Sequence, residues 1–175
     1  MNTKELTETA LMTAVIAVLA PLSIPLAGQV PVSLATFAIM LAGAVLGPGK
    51  GCLSAGIYLL LGAIGIPVFA GWTGGVGILF GMTGGFLFGY LPLAFITGWF
   101  SGRKKGSTVR MVLGTVLGTA VLYAMGTAWF MGFTNLPLSA SLAACVIPFL
   151  AGDAIKIAAV TILAPRLWAA LKNHH

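Results

Sequence analysis

The sequence predicts an all-α integral membrane protein, a bundle of six transmembrane helices with both termini cytoplasmic. Three observations predict it. First, 59% of the 175 residues are hydrophobic and 7% are charged, with a mean hydropathy of +1.06. A soluble domain carries about 25% charged residues, so most of this surface must face lipid. Second, the apolar residues fall into runs near the roughly 20 residues that a spanning helix needs. Third, the charges are confined. None lies between Glu8 and Lys50, between Lys50 and Arg103, or between Arg110 and Asp153.

The elements follow in order. A first helix is expected over about 6–22, ending before Pro25, and a second over about 31–46, stopped by Gly47-Pro48-Gly49. A third starts near Lys50 and ends at Gly65-Ile-Pro67. The glycine-rich stretch Phe69-Ala-Gly-Trp-Thr-Gly-Gly-Val-Gly77 comes next, then a fourth helix over about 83–101 and a fifth over about 108–130. The last is interrupted by Pro148. Proline suits a helix's first turn and not its interior. This predicts a short re-entrant or interfacial segment at 139–146 and a final helix over about 148–171. Pro92 and Pro165 are expected to kink their helices rather than end them. The 24 glycines suit close packing of membrane helices.

Topology is read from the loops. Alternate loops carry Lys50, then Arg103, Lys104, Lys105 and Arg110, then Arg166 and Lys172; the loops between, 23–30, 66–82 and 131–138, carry no charge. Positive residues mark the cytoplasmic side, so the uncharged loops are expected outside. The glycine-rich loop and the Pro148 region then share the outer side, where a solute could arrive.

Composition also excludes. The net charge of +6 is spread over loops without a basic stripe, so nucleic acid is not expected as a partner. Cys52 and Cys145 lie in apolar runs and read as small buried hydrophobes. No metal-ligand cluster, nucleophile–base pair, ATP motif or redox motif is present, so neither an enzyme, a catalytic residue nor a cofactor is expected. A self-powered pump is disfavoured too, because one buried acid and one buried base make a thin proton relay. The N-terminus lacks the basic region of a signal peptide. His174 and His175 read as the remnant of a purification tag, leaving one transmembrane domain over residues 1–173.

Asp153 is the only acid after Glu8, and it stands three residues before Lys156 inside the run Phe149-Leu-Ala-Gly-Asp-Ala-Ile-Lys-Ile157. A charge at membrane depth costs about 2.5–3.5 kcal/mol on insertion scales and usually marks a substrate or ion site. At i and i+3 the two share a helix face. They could bind a solute with an amide or urea at one end and an acid at the other, or they could lock two helices together. Gly71-Trp-Thr-Gly-Gly-Val-Gly77 lacks the phosphate-loop pattern and could be a flexible connector or a cap whose backbone approaches a ligand. Trp72, Phe69 and Phe80 give it flat apolar surface, or else form an interfacial belt. Thr83-Gly-Gly-Phe86 opens the fourth helix, and Tyr90 could reach the interface or bond in a pocket. Ala10-Leu-Met-Thr-Ala14 is a small-xxx-small pattern suited to helix packing or to a partner helix.

Together these segments resemble the biotin-specific S component (BioY family) of energy-coupling-factor (ECF) transporters. The resemblance rests on Val30-Pro-Val-Ser-Leu34, Met40-Leu-Ala-Gly-Ala-Val-Leu-Gly-Pro48, Gly65-Ile-Pro-Val-Phe-Ala-Gly71 with its Gly-Gly sequel, Thr83-Gly-Gly85 and, most tellingly, Gly152-Asp-Ala-Ile-Lys156. It implies a six-helix bundle in the bacterial cell membrane that captures biotin near the outer side. It also implies a transmembrane coupling subunit and two cytoplasmic ATPases as partners, with Ala10 and Ala14 turned toward the coupling subunit. The implied ligand residues are Asp153, Lys156, Trp72, Thr73, Gly75, Phe86 and Tyr90. Which end of biotin meets Asp153 and which Lys156 stays open. The chain departs from common family patterns at Ala35, where Gln is frequent, at Trp72-Thr73 between the glycines, and at Met82 and Phe86, where Pro and Tyr are frequent. These departures leave room for an S component of another small vitamin or precursor. A structural or assembly membrane protein and a stand-alone solute carrier are the remaining alternatives.

Overall fold

The computed structural model describes residues 2–24, 30–102 and 107–172, with side chains as far as 169. Among these, the order is α1 (Thr3–Leu19), β1 (Ser23–Ile24), β2 (Val32–Ser33), α2 (Ala35–Leu46), α3 (Pro48–Ala63), α4 (Val76–Leu79), α5 (Gly84–Ser101), α6 (Thr108–Thr134), α7 (Leu138–Cys145) and α8 (Ile147–Lys172). Among the described residues, three apolar stretches are long enough to cross a membrane: Gly84–Ser101, Thr108–Thr134 and Leu138–Ala169, the last combining α7 and α8. The cations expected to anchor the topology at Arg103, Lys104 and Lys105, the Lys172 side chain, and His174–His175 lie outside the described residues.

Most expected elements are present, with shifted ends. The first helix starts earlier than expected, because Asn2 caps it: its Oδ1 accepts from the Glu5 N–H at 2.9 Å while Glu5 Oε2 accepts from the Asn2 N–H at 3.3 Å. The second helix starts at Ala35 and not at Pro31, because Val32–Ser33 pair antiparallel with Ser23–Ile24 and the Ser33 hydroxyl accepts from the Ala35 N–H. Pro48 opens α3 directly after Gly47, whose φ of +84° favours glycine. The fifth helix runs past Phe130 to Thr134, where Asn135 in the left-handed region ends it. Pro92 and Pro165 lie inside α5 and α8.

α2 is the centre of the bundle. Every side chain from 38 to 46 is buried, and α1, α3, α5 and α8 all pack against it. Glycines permit this approach: a Cβ at Gly43 would stand 2.4 Å from the Ala94 carbonyl oxygen, and one at Gly98 would stand 2.5 Å from the Gly47–Pro48 backbone. α5 and α6 are joined in the same way, with the Phe86 ring over Gly126 and Trp129 over Gly85. α1 is held on α3 by polar bonds, the Ser54 hydroxyl donating to the Thr9 carbonyl at 3.1 Å.

The two ends of the bundle differ in charge. At one end Lys50 pairs with Glu5 at 2.7 Å and lies 3.9 Å from Glu8. The α2–α3 turn packs on the C-terminal part of α5 there, and Trp168 of α8 donates to the Ala44 carbonyl. At the other end Gly71 N–H donates to the Pro21 carbonyl and the Trp129 indole donates to Gly81. These bonds gather the β1–β2 hairpin, the 64–75 loop, α4, the start of α5 and the end of α6 at the uncharged end.

Candidate functional site

At that end lies a cavity of about 150 Å³. The hairpin contributes Val30, Pro31 and Ser33 to its wall; the loop contributes Phe69, Ala70 and Thr73. Tyr58 of α3, Ile78 of α4, and Thr83, Phe86, Leu87 and Tyr90 at the start of α5 complete it. The wall is therefore mainly aromatic and aliphatic with a few hydroxyls, as small-molecule sites commonly are. Tyr58 is fully buried, with its ring edge-on to Phe69 (centroids 5.7 Å apart, planes at 77°) and tilted against Tyr90 at 6.4 Å.

The glycine-rich loop is pinned rather than loose. Phe69 N–H donates to the Thr73 carbonyl at 2.9 Å, Gly75 N–H to the Gly62 carbonyl at 2.6 Å, and the Thr73 hydroxyl to the Ala70 carbonyl at 3.0 Å. Phe69 lies so close over Gly62 that a Cβ there would stand 2.1 Å from its ring. Gly65, Gly71 and Gly75 take positive φ. Trp72 does so as well, at +59°, which is rare for a bulky side chain.

A second polar group lies beneath. The Lys156 ammonium donates to Asp153 Oδ1 and to Thr36 Oγ1, each at 2.8 Å. The Tyr123 hydroxyl donates to Asp153 Oδ2 at 2.5 Å, and the Thr36 hydroxyl reaches Oδ1 at 3.5 Å. Asp153 is 4% exposed and Lys156 8%. The pair thus ties α8 to α2 and α6. The two residues fall in the second and third turns of α8. Tyr90 stands between the two groups: it lines the cavity together with Ser33, and it lies close enough to Asp153 for their charges to interact.

Of the sequence-predicted residues, Thr73, Phe86 and Tyr90 come together on the cavity wall. Asp153 and Lys156 meet each other next to it but are not among the lining residues. Trp72 and Gly75 do not line it either. Trp72 is 62% exposed, and Gly75 serves the loop's turn into α4. Ala10 and Ala14 are exposed on α1 and flanked by exposed Leu6, Leu11 and Val18, so that face packs on nothing among the described residues. Sequence reasoning missed Tyr58, Ser33, Thr36 and Tyr123. A tyrosine or threonine inside an apolar run is a weak signal, since its hydroxyl can be satisfied locally. Among the described residues no cluster suited to a metal ion is present.

The fold and site define a helical protein with membrane-length spans and a small-molecule cavity at one end. Comparison with known proteins gives the family: the chain matches the BioY family over residues 1–173 and belongs to it. The biotin transporter BioY2 of Lactococcus lactis subsp. cremoris is 40% identical, the match covering 98% of this chain and 95% of the relative. The biotin transporter BioY of Thermotoga maritima is 37% identical, covering 94% and 95%. Among solved structures, an S component for biotin from an ECF-type ABC transporter superposes with a TM-score of 0.88 at 32% identity, covering 95% of this chain and 94% of that one.

Proposed function

We propose that this chain is the substrate-capture subunit of an ATP-driven vitamin importer, taking biotin into the aromatic cavity from the outer side. It would pass biotin inward with a transmembrane coupling subunit and two cytoplasmic ATPases. The observation that carries the reading is the cavity set beside a buried Asp153–Lys156 pair, in a chain whose relatives are named biotin transporters. Biotin is a bicyclic urea with an apolar thioether ring and an acid side chain. The aromatic wall of Tyr58, Phe69 and Phe86 suits the rings, and Tyr90 with Asp153 behind it suits the urea. The charge-free end suits the outer side and the Lys50 end the cytoplasm, with six spans and both termini inside. The exposed Ala10–Ala14 face of α1 would meet the coupling subunit.

One observation favours the helix-lock alternative: Asp153 is already engaged by Lys156, Thr36 and Tyr123. The two readings separate in one experiment. Membranes containing the parent chain are predicted to retain radiolabelled biotin, and Asp153→Asn is predicted to lose retention while still folding. Equal, near-zero retention by folded parent and variant would leave the lock reading alone.

A further inference from the structure

Resting on the reading that α1 meets the coupling subunit, we infer that Lys50 is a positioning residue for that docking: it holds α1 turned so that Ala10 and Ala14 face outward. Lys50 lies at the opposite end of the bundle from the cavity. The first argument is the seam between α1 and α3. Lys50 Nζ stands 2.7 Å from Glu5 Oε1 and 3.9 Å from Glu8 Oε2. One turn further on, the Ser54 hydroxyl donates to the Thr9 carbonyl at 3.1 Å, and the Thr13 hydroxyl reaches the Ser54 carbonyl at 3.4 Å. Glu5 closes the α1 cap with its other oxygen, so the ammonium is tied to the start of the helix. With 3.6 residues per turn, Glu5, Glu8, Thr9 and Thr13 fall on one side of α1, toward α3. Ala10 and Ala14 fall on the other, exposed side. Whatever fixes the first side against α3 therefore fixes the direction of the second.

The second argument is charge. Lys50 is the only Lys, Arg or His between Lys4 and Arg103, so α2 and α3 bring no other cation to this seam. Glu8 is buried and Glu5 half-buried. Removing Lys50 takes the ammonium from between two carboxylates that face α3 within one turn of each other. Like charges at that spacing repel, and burial raises the cost. The cheapest relief is a turn of α1 that carries both carboxylates toward water, because only the hydroxyls of Thr13 and Ser54 bond across the rest of the seam. The same turn swings Ala10 and Ala14 out of their direction. A small-residue face docks by close backbone approach, so it tolerates little rotation.

The test measures affinity of the detergent-purified full chain for the purified coupling subunit with its ATPases, beside biotin binding and a thermal melt for each variant. Lys50→Met should keep biotin binding, since the cavity lies at the other end. It should weaken assembly by about tenfold or more, as when the docking direction is held about a tenth of the time. Lys50→Met combined with Glu5→Gln and Glu8→Gln should recover most of that loss. The charges that turn α1 are then gone, and Gln still serves the cap. A smaller loss in the single variant would overturn the inference. So would a triple variant as weak as the single, which would make Lys50 a direct contact to the partner. Biotin binding and assembly lost together would overturn it as well, making Lys50 a residue of the fold alone. If the folded parent does not assemble, the docking reading itself fails, and the inference with it.

Discussion

Replacing Lys156 by Met should destabilise the fold more than replacing Lys156 and Asp153 together. The ammonium makes two of the bonds in the buried cluster, to Asp153 and to Thr36, at 2.8 Å each. Without it, Asp153 keeps the Tyr123 and Thr36 hydroxyls but remains a charge that is 4% exposed. Breaking a buried pair from one side costs about 3–5 kcal/mol, because the surviving charge is uncompensated. Removing both charges, as Asp153→Asn with Lys156→Met, leaves an amide with neutral partners and should cost about 1–2 kcal/mol, since a buried pair's attraction is largely offset by desolvation. The single variant should then lose about 1–4 kcal/mol more than the double. At about 2–4 °C per kcal/mol for a chain of this size, Lys156→Met should lower the melting temperature by about 6–20 °C and the double variant by about 2–8 °C. With half-buried Cys52 replaced by Ala, fully buried Cys145 provides the readout, since a thiol-reactive dye then reports only unfolding. A single variant that melts within about 2 °C of the parent, or a double variant whose loss is the sum of the singles, would mean that the two buried charges do not depend on each other.

Other consequences follow from packing and exposure. Gly85→Val should cost about 1–3 kcal/mol or more and depress yield, because its Cβ would stand 2.3 Å from the Trp129 Cβ and 2.8 Å from the Met125 carbonyl oxygen; Gly132→Ala, with open space around it, should leave the melting temperature unchanged or slightly raised. Trp72→Gly should not lower the melting temperature, since glycine relieves a left-handed conformation worth about 1–3 kcal/mol; a clear drop would mean that the exposed indole holds the loop. Ala10→Leu with Ala14→Leu should leave biotin binding intact and abolish uptake in cells carrying the whole importer, and normal uptake would remove α1 as the docking face.

Much of this architecture was legible in the sequence because lipid imposes simple rules. Helix existence follows from apolar length, and the Pro148 region marks a helix start through the missing N–H, whereas Gly47-Pro48-Gly49 reads as a stop and in fact also opens α3 at Pro48. The charge gaps anticipated the two unlike ends. What was not legible depends on contacts between distant segments. The two-residue strands at 23–24 and 32–33 are too short to show alternation, and only their pairing delays α2 to Ala35. Asp153 and Lys156 stand out because they are charged, but Thr36 and Tyr123 join them only once α2, α6 and α8 pack. The loop's glycines were visible, yet it is Phe69 seated on Gly62, rather than Trp72, that builds the cavity.

Capture of biotin by this chain alone can be measured by titrating biotin into the purified protein without any coupling subunit or ATPase. Binding should saturate at one site per chain, with the melting temperature rising as the cavity fills. A well-folded chain that shows neither binding nor thermal protection at saturating biotin would contradict it.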